Sequence, residues 1–406
     1  MTLPQTKIGV GLMGSRSQLK FGAVAITALA LAAACGTPAG TSDSESGGEE
    51  GPIKLGLVTP LSGGAADYGI AFANGVKLAA QEINDGGGVD VGGTARKLEV
   101  VTCDDEFKSD KAVACGRRLA SQDKAKVIMT PSSLAAFPMM GFNEQTGFLL
   151  MATSQSPDFT KKGNKLAVRF INNTDLTMDP FVGLLMQYGK QKSIGTRAAV
   201  MEVNTELGQS WVANFSKAWQ SNGGEVTGKA SYDANGTDFF AQISTLLATK
   251  PDVIVLTTVC QPSATVIKQA RELGFKGTFI NSAACSGEEL VSVLKDQADG
   301  VILESSTWAF GEPGVKQFQE AYKAAFQMDP QFISGVGYEG TRWLADSIKA
   351  AKTADDVSAL RGSMAAGLKG LEPNLFDMKD LTETGDVDFP MYVGYVEGGA
   401  VKGFKG

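Results

Sequence analysis

The segment IKLGLVTPLSGGAADYGIAFANGVKLAAQEIN, residues 53–84, contains a strand-like run, a glycine-rich loop and a helix-like run in succession. The run at 53–59 is largely apolar without alternation, which is typical of a strand covered on both faces. Further along, Phe72, Val76 and Ile83 recur at helical spacing. The loop has neither G-x-G-x-x-G nor G-x-x-x-x-G-K-[ST], so its glycines do not predict a nucleotide site. The order strand, loop, helix predicts the start of a βαβ unit.

Nine more strand-like runs follow, and helix-like runs separate most of them. They lie at residues 96–103, 125–131, 148–153, 167–170, 197–203, 225–232, 252–258, 277–281 and 300–306. The pattern falls into two blocks, residues 53–170 and 173–300, and the end of the chain near 391–396 alternates as a β-hairpin does. Strands that alternate with helices predict an α/β fold with parallel sheets.

Histidine is absent from all 406 residues. Its absence excludes Ser-His-Asp and Cys-His nucleophiles, histidine general bases and histidine-ligated zinc. The formal net charge is −7 and no basic patch stands out, which argues against a nucleic-acid partner. Asp104 and Asp105 follow the second strand and remain candidates for a cation site or an acid–base pair. Helix capping or loop hydrogen bonds are the alternative interpretation of these two carboxylates.

The N-terminus predicts export. Basic residues precede an apolar run at 21–35, which is short for a membrane span and ends in small residues. Cys35 follows three alanines and resembles a lipobox cysteine, although Ala32 stands where leucine is usual. We therefore predict a signal peptide at 1–34, a lipid anchor on Cys35 and a flexible acidic tether at 35–52. Ordinary signal cleavage, with the cysteine incidental, is the alternative.

Four cysteines remain after Cys35, and an even number in an exported chain predicts two disulfides. Three pairings are possible. The favoured one joins neighbours in the sequence, Cys103 with Cys115 and Cys260 with Cys285. Free buried thiols are the alternative.

Three loops that follow predicted strands of the first block are rich in small hydroxyl residues. They are TPLSGGAADYG from Thr59, TPSSLAAF from Thr130 and ATSQSPDF from Ala152. Ligands of open α/β sheets bind at the carboxyl ends of strands, and hydroxyls with free helix amides bind carboxylates there. Helix capping explains one such loop alone. Three at aligned strand ends predict a ligand site.

With these loops in place, the chain resembles the leucine/isoleucine/valine-binding family of type I periplasmic binding proteins, the solute-binding proteins of ABC transporters. The resemblance runs from about Ile53 to Val401. The segments that show it are IKLGLVTPLSGGAADYG, GVKLAAQEINDGGGV, KLEVVTCDDEFKSDKAVACGRRL, VIMTPSSLAAF, FLLMATSQSPDF and DFFAQISTLLATKPDVIVL. The helix ending EINDGGGV, followed by a strand ending in Asp-Asp, is especially typical of the family.

The resemblance implies two Rossmann-like α/β lobes with parallel sheets, joined by a three-strand hinge. Lobe 1 is expected at 53–171 and 306–375, and lobe 2 at 172–305 and 376–406. The crossings between the lobes are then expected near residues 171–173, 304–307 and 375–377. A solute trapped between the lobes would be enclosed by hinge closure.

The resemblance also implies site residues in the first lobe. Tyr68 falls where the family packs a side chain over the ligand, and Ser133 falls on the serine that binds the α-carboxylate. Ser154 and Ser156 fall where the family uses small and hydroxyl residues around the carboxylate and amino group.

In the second lobe the matching positions are Leu207, Thr258 at the end of a strand, and Ala283. Two of them depart from the family pattern. Leu207 replaces the tyrosine that commonly precedes the glycine, and Ala283 lies where an acid usually meets the ligand ammonium. Burying an ammonium without a carboxylate would cost several kcal/mol. Glu202 and Glu206 are the alternative acids, and a carboxylate, amide or largely apolar solute fits the first-lobe residues as well.

The function implied is that of an extracytoplasmic, lipid-anchored subunit of an ABC importer. It would capture an amino acid or a related small carboxylate or amide and present it to the permease subunits. We expect a monomer with no cofactor, no metal and no catalytic activity. A ligand-sensing receptor module of the same fold is one alternative. A secreted α/β enzyme that uses Asp104 and Asp105 is the other.

Overall fold

The computed structural model describes residues 51–406 except 205, 234–235 and 258–259, and it leaves the side chains of residues 206 and 207 undescribed. The predicted signal peptide, the lipid anchor at Cys35 and nearly all of the predicted tether lie outside the described residues, as does Thr258. Among the residues described, no helix has the length and apolar character needed to cross a membrane.

The strands of the described chain are numbered β1 to β14. Their bounds are β1 Ile53–Thr59, β2 Val89–Val91, β3 Thr94–Arg96, β4 Leu98–Asp104, β5 Val127–Thr130, β6 Leu149–Ala152, β7 Ala167–Arg169, β8 Arg197–Val203, β9 Glu225–Tyr232, β10 Val253–Leu256, β11 Thr278–Asn281, β12 Ile302–Ser305, β13 Tyr392–Glu397 and β14 Ala400–Phe404.

The helices are numbered α1 to α13, with 3₁₀ turns at Lys295–Ala298 and Thr307–Phe310. Their bounds are α1 Ala66–Asp85, α2 Ser109–Ser121, α3 Ser133–Met140, α4 Asn143–Thr146, α5 Asp158–Lys161, α6 Thr174–Gln191, α7 Glu206–Ser221, α8 Phe240–Leu247, α9 Cys260–Glu272, α10 Gly287–Leu294, α11 Pro313–Phe326, α12 Phe332–Ala351 and α13 Val357–Lys369.

The first sheet has the strand order β4-β1-β5-β6-β7, and every neighbouring pair is parallel. Its strands are buried on both faces, which is why their sequences do not alternate. In β1, for example, Leu57 and Val58 are both fully buried although they belong to hydrophobic clusters on opposite faces. The short antiparallel pair β2–β3 lies outside this sheet and was not predicted from the sequence.

The second sheet has the order β14-β13-β12-β11-β10-β8-β9. Strands β8 to β12 pair in parallel, and β13 and β14 add an antiparallel hairpin to one edge. The predicted α/β fold with two parallel sheets and a C-terminal hairpin is confirmed.

Helices α11 to α13 follow β12 of the second sheet in sequence, but α12 packs on α1, which belongs to the first block. The contact is close because Gly75 of α1 has no side chain: a Cβ atom there would lie 1.9 Å from the carbonyl oxygen of Ser334. The chain therefore returns to the first sheet after β12.

The segment that follows α13 also contacts the first sheet. Leu381 and Val387 form an antiparallel bridge, and the amide of Arg169 in β7 donates to the carbonyl of Gly385 at 2.8 Å. The chain joins the second sheet only at Tyr392. These contacts keep residues 385–387 beside the first sheet, while the expected crossings and lobe boundaries stay predictions.

Both favoured disulfides are present. Cys103 in β4 is bonded to Cys115 in α2, with the Cα atoms 5.6 Å apart. Cys260, the first residue of α9, is bonded to Cys285 in the loop after β11, with the Cα atoms 4.7 Å apart.

Candidate functional site

The position of the candidate cleft follows from the places where the chain passes between the two sheets. The chain leaves the first sheet at the carboxyl end of β7, and it leaves the second sheet at the carboxyl end of β12. The chain therefore passes between the two sheets near these ends, and the loops at the carboxyl ends are the walls of the candidate site.

Tyr68 connects two loops of the first wall. It lies in the first turn of α1, and its hydroxyl donates to the carbonyl of Pro131 at 3.1 Å. Its side chain is 38% exposed, so part of the ring remains open to solvent. Burial of the hydroxyl end of the side chain raises the pKa of Tyr68 to about 12. The exposed part of the ring is available to a ligand, and the role of Tyr68 as a residue that packs over the ligand stays a prediction.

Asp104 fixes the glycine-rich loop after β1. One carboxylate oxygen accepts from the amide of Leu61 at 2.8 Å, and the other accepts from the hydroxyl of Ser62 at 2.6 Å. Burial alone would raise the pKa of Asp104, but the hydrogen bonds from Ser62, Leu61 and Glu106 outweigh it and lower the pKa.

Asp105 is buried and accepts from the amide of Phe107 at 2.9 Å. Burial raises the pKa of Asp105 above its ordinary value. The hydrogen bonds of Asp104 and Asp105 therefore favour loop bonding over the cation or acid–base interpretation. Among the described residues, no group of three or more metal-ligating side chains is present.

Ser133 and Ser154 meet at the carboxyl ends of β5 and β6, with their hydroxyl oxygens 2.8 Å apart. Ser132 provides the helix cap, because its hydroxyl accepts from the amide of Ala135 at 3.2 Å. Ser133 is therefore not needed as the cap and is only half-buried. The hydroxyl pair beside the free amides of α3 is suited to a carboxylate.

Arg169 holds the loop that contains Ser154 and Ser156. Its guanidinium donates to the carbonyl of Ser154 at 2.6 Å and to the carbonyl of Ser156 at 2.8 Å. Its Nε lies 2.6 Å from a carboxylate oxygen of Asp386. Arg169 is fully buried, and this desolvation lowers its pKa although Asp386 opposes the shift.

Asp386 joins further parts of the first wall to this arginine. Its second carboxylate oxygen accepts from the hydroxyl of Thr160 at 2.7 Å and from the side-chain amide of Asn173 at 3.2 Å. This network was not predicted from the sequence. An arginine inside the short apolar strand AVRF was the available signal, because a charged side chain there requires a buried partner.

The second wall contains the positions that depart from the family pattern. Leu207 lies in the first turn of α7, and only its backbone is described. Ala283 lies in the loop after β11, half-buried, and its amide donates to a carboxylate oxygen of Glu304 at 3.1 Å. Thr258 lies outside the described residues. The disulfide between Cys260 and Cys285 joins the start of α9 to the loop after β11.

Glu304 is an acid of this wall that was predicted only as part of a crossing. It is 3% exposed, and its Oε2 accepts from the indole nitrogen of Trp211 at 2.9 Å as well as from Ala283. Burial raises the pKa of Glu304 above its ordinary value. Within the described part of the chain, its Oε1 has no hydrogen-bond partner.

Glu202, one of the two alternative acids, faces the neighbouring strand. Its carboxylate lies 3.4 Å from the hydroxyl of Ser231 and 3.9 Å from the ammonium of Lys229. The side chain of Glu206, the other alternative, is not described.

A cavity of about 30 Å³ lies at the carboxyl end of the second sheet. Its lining includes Ala283, Glu304, Ser306, Trp308 and Phe332. A larger groove of about 670 Å³ lies at the opposite end of the same sheet, beside residues such as Asp252 and Thr278 that precede or begin strands. Position relative to the strand ends, not volume, identifies the ligand cleft.

Two parallel α/β sheets joined at their carboxyl ends, with hydroxyl loops on one wall and a buried acid on the other, define a solute-binding protein of two lobes. The family model described as "Periplasmic binding protein" matches residues 52–400. The chain belongs to the periplasmic binding protein family, which confirms the resemblance seen in the sequence.

A curated relative is the Leu/Ile/Val-binding protein BraC3 of Rhizobium johnstonii. It is 25% identical over 338 residues, which cover 82% of this chain and 89% of the relative. This relative is named for the three branched-chain amino acids.

Two solved structures share the fold. One is the branched-chain amino acid transporter substrate-binding protein of Streptococcus pneumoniae in complex with isoleucine, with a TM-score of 0.71, 20% identity, and coverage of 87% of this chain and 100% of that chain. The other is an ABC transporter solute-binding protein of R. palustris in complex with benzoate, with a TM-score of 0.69, 19% identity, and coverage of 87% and 96%.

Proposed function

We propose that this chain is the extracytoplasmic solute-binding subunit of an ABC importer. In this proposal it captures an amino acid or a related small carboxylate or amide in the cleft between its lobes. The observation that supports the proposal most is the contact between Ser133 and Ser154 at the start of α3, where Ser132 already caps the helix. The names of the similar proteins support the ligand class, since one is named for Leu, Ile and Val and two bind isoleucine or benzoate.

The ligand's carboxylate would lie on the first wall. Arg169 fixes the carbonyls of Ser154 and Ser156 from behind, and Asp104 fixes the loop that leads to Tyr68. A wall held in this way is already ordered before the ligand arrives, which reduces the entropy lost on binding. Closure of the second lobe about the crossings would then enclose the solute.

The remaining parts of the proposal concern location and partners. A lipid on Cys35 would anchor the protein outside the membrane, with residues 35–52 as a tether, and permease subunits would receive the solute. The protein would act as a monomer without a cofactor, and the solute would leave chemically unchanged.

A ligand screen tests the proposal. Purified protein is titrated with leucine, isoleucine, valine, alanine, benzoate, 4-methylpentanoate and isobutyramide in a thermal-shift assay. A solute at 100 times its Kd should add about 2.7 kcal/mol to the free energy of unfolding. Chromatography of the recovered solute should show no conversion. Failure of every probe, or turnover of any of them, would reject the proposed function.

Ser133→Ala tests the placement of the carboxylate. The loss of one hydroxyl from a charged ligand should weaken the binding free energy by about 1–3 kcal/mol, measured by calorimetry. Ser132→Ala is the matched control, because it removes a neighbouring hydroxyl that caps α3. It should lower the free energy of unfolding by about 1 kcal/mol with a smaller effect on affinity. Equal affinity of Ser133→Ala and the unaltered protein would remove Ser133 from the site.

A further inference from the structure

Glu304 has one carboxylate oxygen in use and one without a partner. Oε2 accepts from Trp211 and from the amide of Ala283. Oε1 is shielded from solvent and has no hydrogen-bond partner in the described part of the chain. A buried polar atom without a partner is costly, so its presence in a folded protein requires an explanation.

The position of Glu304 places it at the ligand cleft. Strand pairing aligns Asn281 with Leu303, so Glu304 lies one residue beyond this row, at the carboxyl end of the second sheet. Ala283 and Glu304 both line the cavity of about 30 Å³, together with Trp308 and Phe332. A space of this size suits a small polar group or one water molecule.

The chemistry of the missing partner follows from the two donors already present. Both groups on Oε2 are N–H donors, so the carboxyl acts as an acceptor there. Among the described side chains, no lysine or arginine forms an ion pair with Glu304 or contributes to the shift of its pKa. A buried carboxylate with one unpaired oxygen and no cation beside it is best satisfied by a cationic hydrogen-bond donor from outside the chain.

We propose that Glu304 accepts the ammonium group of a solute whose carboxylate lies on Ser133 and Ser154. This inference rests on the proposed function and narrows its ligand class to amino acids. The acid that is missing at Ala283 is supplied by the neighbouring strand, and the short side chain of Ala283 leaves space in front of it. The departure at Ala283 then no longer argues against an amino acid ligand.

The test compares solutes that differ only in the amine. Affinities of leucine and 4-methylpentanoate, and of valine and 3-methylbutanoate, are measured by calorimetry for the unaltered protein, Glu304→Gln and Glu304→Asp. Glu304→Gln should weaken the amino acid by about 10- to 100-fold, the equivalent of one charge-assisted hydrogen bond, and leave the deaminated acid unchanged. Glu304→Asp keeps the charge and should retain part of the preference for the amine.

Glu202→Gln is the matched control. Strand pairing aligns Met201 with Leu256 and Leu256 with Asn281, so Glu202 lies at the same level of the sheet as Glu304, but its carboxylate faces Lys229 and Ser231. Its substitution should change neither affinity.

The outcomes separate the inference from the proposed function. If leucine binds the unaltered protein and Glu304→Gln equally well, the inference fails and the proposed function stands. An equal loss of affinity for the amino acid and the deaminated acid would show that Glu304 acts in the fold alone. If only the deaminated acids bind, the proposed contact between Glu304 and an ammonium group is also rejected. If no amino acid, carboxylate or amide binds at all, the proposed function fails and the inference fails with it.

Discussion

Replacement of Arg169 by methionine tests whether the first wall of the cleft depends on a buried charge pair. In the pair with Asp386 the two side chains are 0% and 8% exposed, and the charged atoms lie 2.6 Å apart. Arg169→Met leaves the carboxylate with Thr160 and Asn173 as partners but without a cation. Removing one partner from a buried pair typically costs about 3–5 kcal/mol, because the other charge stays buried.

The carbonyls of Ser154 and Ser156 lose their donors in the same variant. The change should therefore also weaken solute binding, since these residues form part of the proposed carboxylate site. The loss of stability is measured by urea unfolding, with the intrinsic fluorescence of the tryptophans as the probe. The loss of affinity is measured by calorimetry on the folded variant.

Two control variants are needed to interpret this experiment. The double variant Arg169→Met with Asp386→Leu removes both charges and should recover a large part of the lost stability. Lys323→Met breaks an ion pair with Asp329 whose side chains are 66% and 84% exposed, and it should cost less than about 1 kcal/mol. If Arg169→Met costs no more than Lys323→Met, the buried pair does not stabilise the wall and the reasoning is wrong.

Two further predictions concern the loops around the cleft. Asp104 accepts hydrogen bonds from Leu61 and Ser62, and its pKa is lowered in the folded protein. The ionised carboxylate therefore stabilises the fold at pH values above its unfolded pKa of about 3.9. This contribution is lost as the pH falls through the folded pKa. Asp104→Asn should therefore unfold more easily than the unaltered protein at pH 7, and the difference should shrink as the pH falls below about 3.9. An equal difference at pH 7 and at pH 2.5 would contradict this. Replacement of Cys260 and Cys285 by serine should lower the free energy of unfolding by about 3 kcal/mol in urea titrations, because the open loop gains entropy in the unfolded chain. Unchanged stability would mean that this disulfide does not constrain the unfolded state.

Local patterns in the sequence predicted most of the fold. The strand candidates at 197–203 and 225–232 have the bounds of β8 and β9, because an apolar run and its neighbouring turn residues are both encoded within one segment. Both disulfides join cysteines that are close in sequence, at separations of 12 and 25 residues. The pair β2–β3 was missed because its strands have three residues each, too few to show a period.

The residues of the candidate site also differ in how far the sequence predicts them. Ser133 and Ser154 were predictable because each follows a strand of one parallel sheet, and such strand ends meet. Arg169 and Asp386 are 217 positions apart in the sequence, and no local pattern encodes their contact. Glu304 was assigned only to a crossing, on the family resemblance, although an acid within GVILESS was a sign of a buried polar role.

The contrast between the two walls has a consequence for transport. On the first wall Ser154 is held by Arg169 whatever the ligand, whereas on the second wall Glu304 has an oxygen without a hydrogen-bond partner among the described residues. A ligand shifts a conformational equilibrium only by its difference in affinity for the two states. If Glu304 accepts the ammonium, an amino acid gains this contact only when the second wall closes over it, while its deaminated counterpart gains nothing there. Both solutes would then bind to the first wall, but only the amino acid would favour the closed state. Glu304 would therefore determine which solute is selected.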